Sequence, residues 1–562
     1  MTSRLYLDLV PTARGLELAD VVYHNAEIFN AFTCDWERSG IAIKDGIIVG
    51  IGESYRGTVE RDLHGAYVVP GLIDAHVHIE SSLLTPAEYA RLVSTHGTTT
   101  VIADPHEIAN VAGAAGIEFM LASRNNVSVD ILYMLPSCVP ATPADIGGAT
   151  LGADALRSFV GRDGVCGLGE MMNVPGVLAG DTGVGEKLHL TGIRDGHAPL
   201  LSGMDLNAYV LAGLQSDHEC TTREEVLEKL RRGMYIFIRE GSTERNIAAL
   251  IPLVTPANVS RCAFATDDCH VDLLAREGHI DRCIRRAIEC GCPPELAIRM
   301  ATLSAAERFG LTDRGAIAPG RRADLCILRD LHSFVVKETI FGGRMIHNIP
   351  YSPLPGTLPS SFRCAVPTPD QIRITGSGTA RVICLVPHQI ITQDLRYEIS
   401  AGQIPDARRD IQKIVVCNRY RARSVGVGLV QGFGFARGAI ATSVAHDAHN
   451  IIATGTSDAE IIRAITAVIR SRGAMAAVID QEEVVLPLDC AGLMSTLPYP
   501  VVVTCLDRLH ETTTRMGGIP DPFMYLSFLA LTVIPALRIT DRGVFDGVAF
   551  RDVPLFEQHL SG

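Results

Sequence analysis

The sequence predicts an α/β protein: a (β/α)8 barrel with a small discontinuous β-sandwich domain and a separate C-terminal α/β domain. Three observations predict it. Between residues 68 and 267, eight strand-like runs alternate with helix-like segments, the pattern of repeated βα units that build a parallel sheet covered by helices. Short alternating β-like runs precede this stretch and return after it. A Pro-rich segment then separates them from a further mixture of strand and helix signals.

In chain order, 19–61 holds the β-like runs VVYHNAEIF, IAIKDG and IIVGIGE, with Asp45-Gly46 suited to a tight hairpin turn. ADLCILRD (323–330) and VVKETIFGGRMI (335–346) resume the pattern, so 1–69 and 319–350 are expected to be two halves of one small domain. The barrel occupies 70–318 and opens on VVPGLIDAHVHIESS (68–82), where apolar residues run to Ile73 with only Pro-Gly between them, as in a buried strand. His76 and His78 stand at its end. Two residues apart on a strand they point the same way, as a divalent metal requires, although such pairs also occur on solvated strands.

The remaining candidate strands are 99–104, 131–137, 165–170, 192–197, 214–218, 234–239 and 262–267, and the stretches 223–232 and 281–290 read as amphipathic helices. In such a barrel the chemistry sits at the C-terminal ends of the strands. Those ends carry His76, His78, Glu170, His197, His218 and Asp267. One histidine there is more often a satisfied structural residue, but six converging nitrogen and oxygen donors point to bound metal.

Other polar residues cluster around these positions. Glu219 follows His218 and reaches the same space only if the strand has already ended. Asp268 and His270 either brace the ligands, touch a substrate or cap a helix; Arg239 and Glu240 either bind substrate or form an internal ion pair. Glu80, Ser81 and Ser82 either cap the first loop or support the site.

Residues 351–372 read as a linker and 373–562 as the C-terminal domain. Within it, GTSDAEIIRAITAVIRSRG (455–473) reads as a helix capped by Ser457 and Asp458. The glycine-dense VGVGLVQGFGFARG (425–438) lacks the Lys and Ser/Thr of a phosphate loop, so tight turns explain it better. His446, Asp447 and His449 invite a second metal. Without further clustered donors, the segment is expected instead to pack near the barrel mouth and shield the reaction from water.

Composition narrows the partners. Apolar residues make up 47% of the 562 and charged residues 20%, as in a globular enzyme, and the formal net charge of −13 argues against nucleic acid or an anionic membrane surface. A small ligand is expected. Fifteen cysteines without a C-x-x-C pair fit a reducing cytoplasm, and the acidic N-terminal stretch does not read as a signal peptide. The apolar run 523–537 is too short to span a bilayer and reads as core.

PGLIDAHVHIESS, the strand-end His, His and Asp, and APGRRADL (318–325) resemble the amidohydrolase superfamily. ADPHEIANVAG (103–113), DGHAP (195–199), IREGS (238–242) and EGHID (277–281) resemble more narrowly the bacterial adenine deaminases, as do SVAHDAHNIIATG (443–455) and AGLMST (491–496). The resemblance implies that His76, His78, Glu170, His197, His218 and Asp267 bind a binuclear divalent centre, Fe(II) or Mn(II) in preference to Zn(II). It implies a purine base as partner and hydrolytic deamination of adenine to hypoxanthine, and the chain is expected to form a homo-oligomer. Asp267 would then relay protons, Glu219 would protonate N1, and Asp268 and Arg239 would contact the base. Many superfamily members bridge their metals with a carboxylated lysine at strand four; Glu170 stands there instead. Two rivals remain, hydrolysis of a cyclic amide and a non-catalytic scaffold on the same barrel.

Overall fold

The computed structural model describes residues 6–557 except 126, 350–355, 357, 388, 401, 403, 407, 422 and 423, so part of the Pro-rich linker lies outside the described residues. The barrel strands are β1 (Leu72–Val77), β2 (Thr98–Ala103), β3 (Asp130–Leu135), β4 (Val165–Met171), β5 (Arg194–Gly196), β6 (Ser216–Asp217), β7 (Tyr235–Arg239) and β8 (Cys262–Ala265). β1 to β5 pair in parallel in chain order, and so do β6 to β8. Two contacts complete the curl. Gln215 N–H donates to Arg194 O (3.2 Å) between β5 and β6, while Asp267 N–H donates to His76 O (3.0 Å) beside β1. β1 and β2 are buried throughout, which is why neither shows the alternation of a half-solvated strand.

β5 and β6 are shorter than the expected 192–197 and 214–218, so His197, His218 and Glu219 stand just past the strand ends. Side chains replace the missing ladder there. Tyr209 Oη accepts from His197 N–H (3.0 Å), and Asp217 Oδ1 accepts from Ala198 N–H (2.8 Å).

The early and returning β segments form one eight-stranded sheet, joined where Cys326 pairs with Val69. It folds back on itself: Ile47 bridges Arg322, and Ile28, Ile43 and Ile48 share a core with Leu325, Ile327 and Ile340. The turn between Asp35–Lys44 and Ile47–Ile51 is made by Asp45 and Gly46, both at positive φ, as the Asp-Gly pair requires.

The C-terminal region carries a second eight-stranded sheet and the helix Asp458–Arg470, whose first turn is capped by Ser457 Oγ accepting from Glu460 N–H (3.2 Å). The glycine-dense segment is only partly turns. Val425–Gln431 is a strand, and Gly426 is needed because a Cβ there would lie 1.9 Å from Thr540 O. No helix among the described residues is long and apolar enough to cross a membrane.

Candidate active site

All six strand-end donors meet at the barrel mouth. Glu170 is central: its Oε1 lies 3.6 Å from His76 Nε2 and 3.2 Å from His78 Nε2, while its Oε2 lies 2.8 Å from His197 Nδ1 and 3.3 Å from His218 Nε2. Asp267 Oδ1 sits 3.4 and 3.1 Å from His76 and His78 Nε2. Asp267 has φ +55°, a backbone strain that turns its carboxylate back over β1.

The donor chemistry suits divalent cations. His76 and His78 face each other through their Nε2 atoms at 3.2 Å, an approach with at most one proton to share between two neutral rings. Burial opposes their protonation, yet Asp267 and Glu170 hold His76 up to about 10; burial likewise opposes it at His197, where Glu219 and Glu170 push the value to about 9. Against their burial, His218, with His197 and His76, keeps Glu170 well below the usual carboxylate range, and His76 and His78, with His218 and Arg239, do the same for Asp267. Four imidazoles and two carboxylates, all buried, form an electron-rich cage of the kind cations fill.

His78 is oriented from behind, with Nδ1 3.0 Å from Asp104 O. Asp74 fixes the seam of the barrel. Its Oδ1 accepts N–H groups from both His76 and Thr266 at 3.2 Å, and its Oδ2 lies 3.0 Å from His279 Nε2. The EGHID stretch thus supports the ligands through Asp74.

Glu219 does face the site, because β6 has ended before it. Both its oxygens accept from the Arg239 guanidinium, which also donates to Asp267 Oδ2 at 2.9 Å. Arg239 therefore forms the internal ion pair, with only its Nε lacking a partner among the described residues. Asp268 lines the same cavity and accepts from Ser81 Oγ, whereas Glu240 accepts from Ile247 N–H (3.3 Å) and His270 precedes the helix Val271–Glu277. Neither of the latter lines the cavity. Glu80 Oε1 accepts from Ile108 N–H (3.1 Å), and Ser82 closes its own turn on Ile79 O.

Sequence reasoning passed over three cavity residues, His106, Glu107 and Glu244, and the hydrophobic cap. His106 stands between His78 and the C-terminal region, its Nδ1 3.6 Å from Glu170 Oε1 and its Nε2 3.9 Å from Asp447 Oδ1. Glu107 receives both His446 Nδ1 and His449 Nε2. His449 Nδ1 accepts from Ala445 N–H (3.2 Å), so the proton of the neutral ring is on Nε2 and points at Glu107. Glu107 is thus the further donor that the sequence did not cluster with His446 and His449, the three together form a group that could hold a cation, and the contacts seat the segment on the barrel mouth as expected. Ile390, Phe528, Leu531 and Ile534 complete an apolar ceiling over a cavity of about 40 Å³, and beyond Ile390 and Ile534 lies a larger one of about 1240 Å³.

Residues 67–346 match the amidohydrolase family, and residues 389–551 match the adenine deaminase C-terminal domain. "Adenine deaminase" of Methanoregula boonei is 66% identical over 98% of this chain and 99% of its own length. The chain belongs to the adenine deaminase family. "Adenine deaminase" of Methanoculleus marisnigri is 61% identical over 92% of this chain and 99% of its own, and "Adenine deaminase 2" of Carboxydothermus hydrogenoformans 43% identical over 98% and 99%. Both lobes that meet at the cavity, barrel and cap, thus belong to adenine deaminase architecture.

Proposed function

We propose that this protein hydrolyses adenine to hypoxanthine and ammonia, using two divalent cations held by His76, His78, Glu170, His197, His218 and Asp267. The observation that carries the reading is the Glu170 carboxylate, one oxygen turned to each histidine pair. Family membership supports adenine as the substrate and Fe(II) or Mn(II) ahead of Zn(II), since mixed imidazole and carboxylate donors do not by themselves choose among these metals.

When bound, the cations supply hydroxide at neutral pH. Addition at C6 of the purine moves electron density onto N1, and the amino group must gain a proton before it leaves. Asp267 takes up the proton released at C6 and passes it toward the departing ammonia. Arg239 holds Asp267 in place for this. A carboxylate whose two oxygens accept from a guanidinium has no proton to give, so Glu219 orients Arg239, and N1 is protonated by Glu244. Burial pushes the Glu244 carboxyl up to about 7 against the pull of Arg239, and Thr243 occupies only its Oε1 (2.6 Å). Asp268 is left to meet the purine edge. The apolar ceiling excludes water from the reacting atoms.

The free thiols support a reducing cytoplasmic location, and a role in purine salvage as a homo-oligomer belongs to the same reading, as does the division into 1–69, 70–318, 319–350 and 373–562. The test is ammonia release from adenine by protein reloaded with Fe(II), Mn(II) or Zn(II), beside hydantoin and dihydroorotate. Adenine alone should react, and His197→Ala and Asp267→Ala should each lose at least about 100-fold. Turnover of a cyclic amide, or full activity in both variants, would refute the assignment.

A further inference from the structure

The cap supplies one polar group that no part of this mechanism uses. Asp447 is 2% exposed, lines the small cavity, and its Oδ2 has no hydrogen-bond partner among the described residues. A buried carboxylate oxygen left unpaired is costly, and sites that tolerate one do so because a ligand completes it. Its surroundings show which end of a ligand arrives there. His106 separates it from Glu170, so Asp447 faces the cavity one imidazole's breadth from the metal donors. That is the relation between the six-membered ring of a purine, held at C6 by the catalytic end, and its five-membered ring. The ceiling near Asp447 is otherwise apolar, with His446 stacked on Phe528 at 4.6 Å, and offers the five-membered ring no other carboxylate from the cap.

We propose that Asp447 is a specificity-determining residue that accepts a hydrogen bond from the azole N–H of the substrate, whether that hydrogen is on N9 or N7, and thereby selects a free base. The inference rests on the adenine reading above. A base substituted at N9 has no azole N–H to offer, and would leave the buried carboxylate unpaired. Burial, with Glu107 alongside, pushes the Asp447 carboxyl up to about 7 in the face of the opposing pull of His106. Sites built to hydrogen-bond a ligand N–H reject analogues lacking it far more strongly than sites built on shape alone.

The test uses the metal-loaded full chain with adenine and with an adenine isostere carrying sulfur in place of the N9–H, which removes the donor without adding bulk. For the wild type, kcat/KM should fall roughly 100-fold on this replacement, mainly through KM. In Asp447→Ala, KM for adenine should rise at least about tenfold with kcat less affected, and discrimination against the isostere should shrink to about threefold or less; Asp447→Asn, which keeps an acceptor, should recover part of both. Metal content should be unchanged in both variants. Wild-type protein that handles the isostere within about threefold of adenine overturns the inference, even if neither variant folds. So does an Asp447→Ala enzyme with undiminished discrimination. Absence of adenine turnover by the loaded wild type would instead count against the adenine reading.

Discussion

At the scale of single residues, the donors at strand ends were legible because a buried strand has little other reason to finish on His, Glu or Asp. His106 and Glu107 were not. They follow β2 inside the first turn of a helix, where polar residues are ordinary, and their partners lie in a segment more than three hundred positions along the chain. Glu219 was legible as a site residue but its partner was not, since only the coordinates place Arg239 across both its oxygens. The central position of Glu170 gives a sharp expectation. Glu170→Gln preserves volume but puts an amide nitrogen toward one histidine pair, so metal retained after dialysis, measured by mass spectrometry, should fall to about half the wild-type content or less. Undiminished content would remove Glu170 from the centre.

At the scale of elements, strand and helix positions followed the apolar pattern, and the departures have local causes. β5 and β6 stop early because side chains take over their backbone bonds, and the glycine-dense strand exists because Gly426 lets the Thr540 carbonyl approach. Asp130, the first residue of β3, ties the barrel floor to the returning segment: its carboxylate accepts from Arg314 (2.6 Å), Arg322 (3.1 Å) and Arg124 (3.2 Å). Burial raises its pKa, but the three guanidinium groups more than reverse that and hold it well below 3.8. A depressed folded pKa stabilises above the unfolded value and loses that contribution as pH falls below it. Asp130→Asn should therefore cost about 3 kcal/mol at pH 7, seen as a lower thermal midpoint, and the gap to wild type should narrow below about pH 4. A gap that is constant with pH would show that the ion pairs are not its source.

At the scale of the whole molecule, the sequence divided the chain into barrel and cap without revealing how closely they are fused. One continuous apolar core runs from Leu83, Leu84 and Ile108 of the barrel into Phe433, Leu493 and Met494 of the C-terminal region. Ser495 N–H donates to Leu83 O (2.8 Å), and Tyr499 N–H to Glu88 Oε2 (2.7 Å), which gives the AGLMST stretch its place. With a shared core and a cavity walled by both, barrel and cap should unfold together. Calorimetry should show a single endotherm for the two; separate transitions would mean the interface contributes little.

The seam where the first and eighth barrel strands join carries His76, His78 and Asp267 on its two lips, stitched by Asp74. A chain emerging from the ribosome therefore owns five of the six donors before Asp267 arrives just past the last barrel strand. The donor set is complete only once that strand has docked beside the first, so its assembly waits on closure of the barrel.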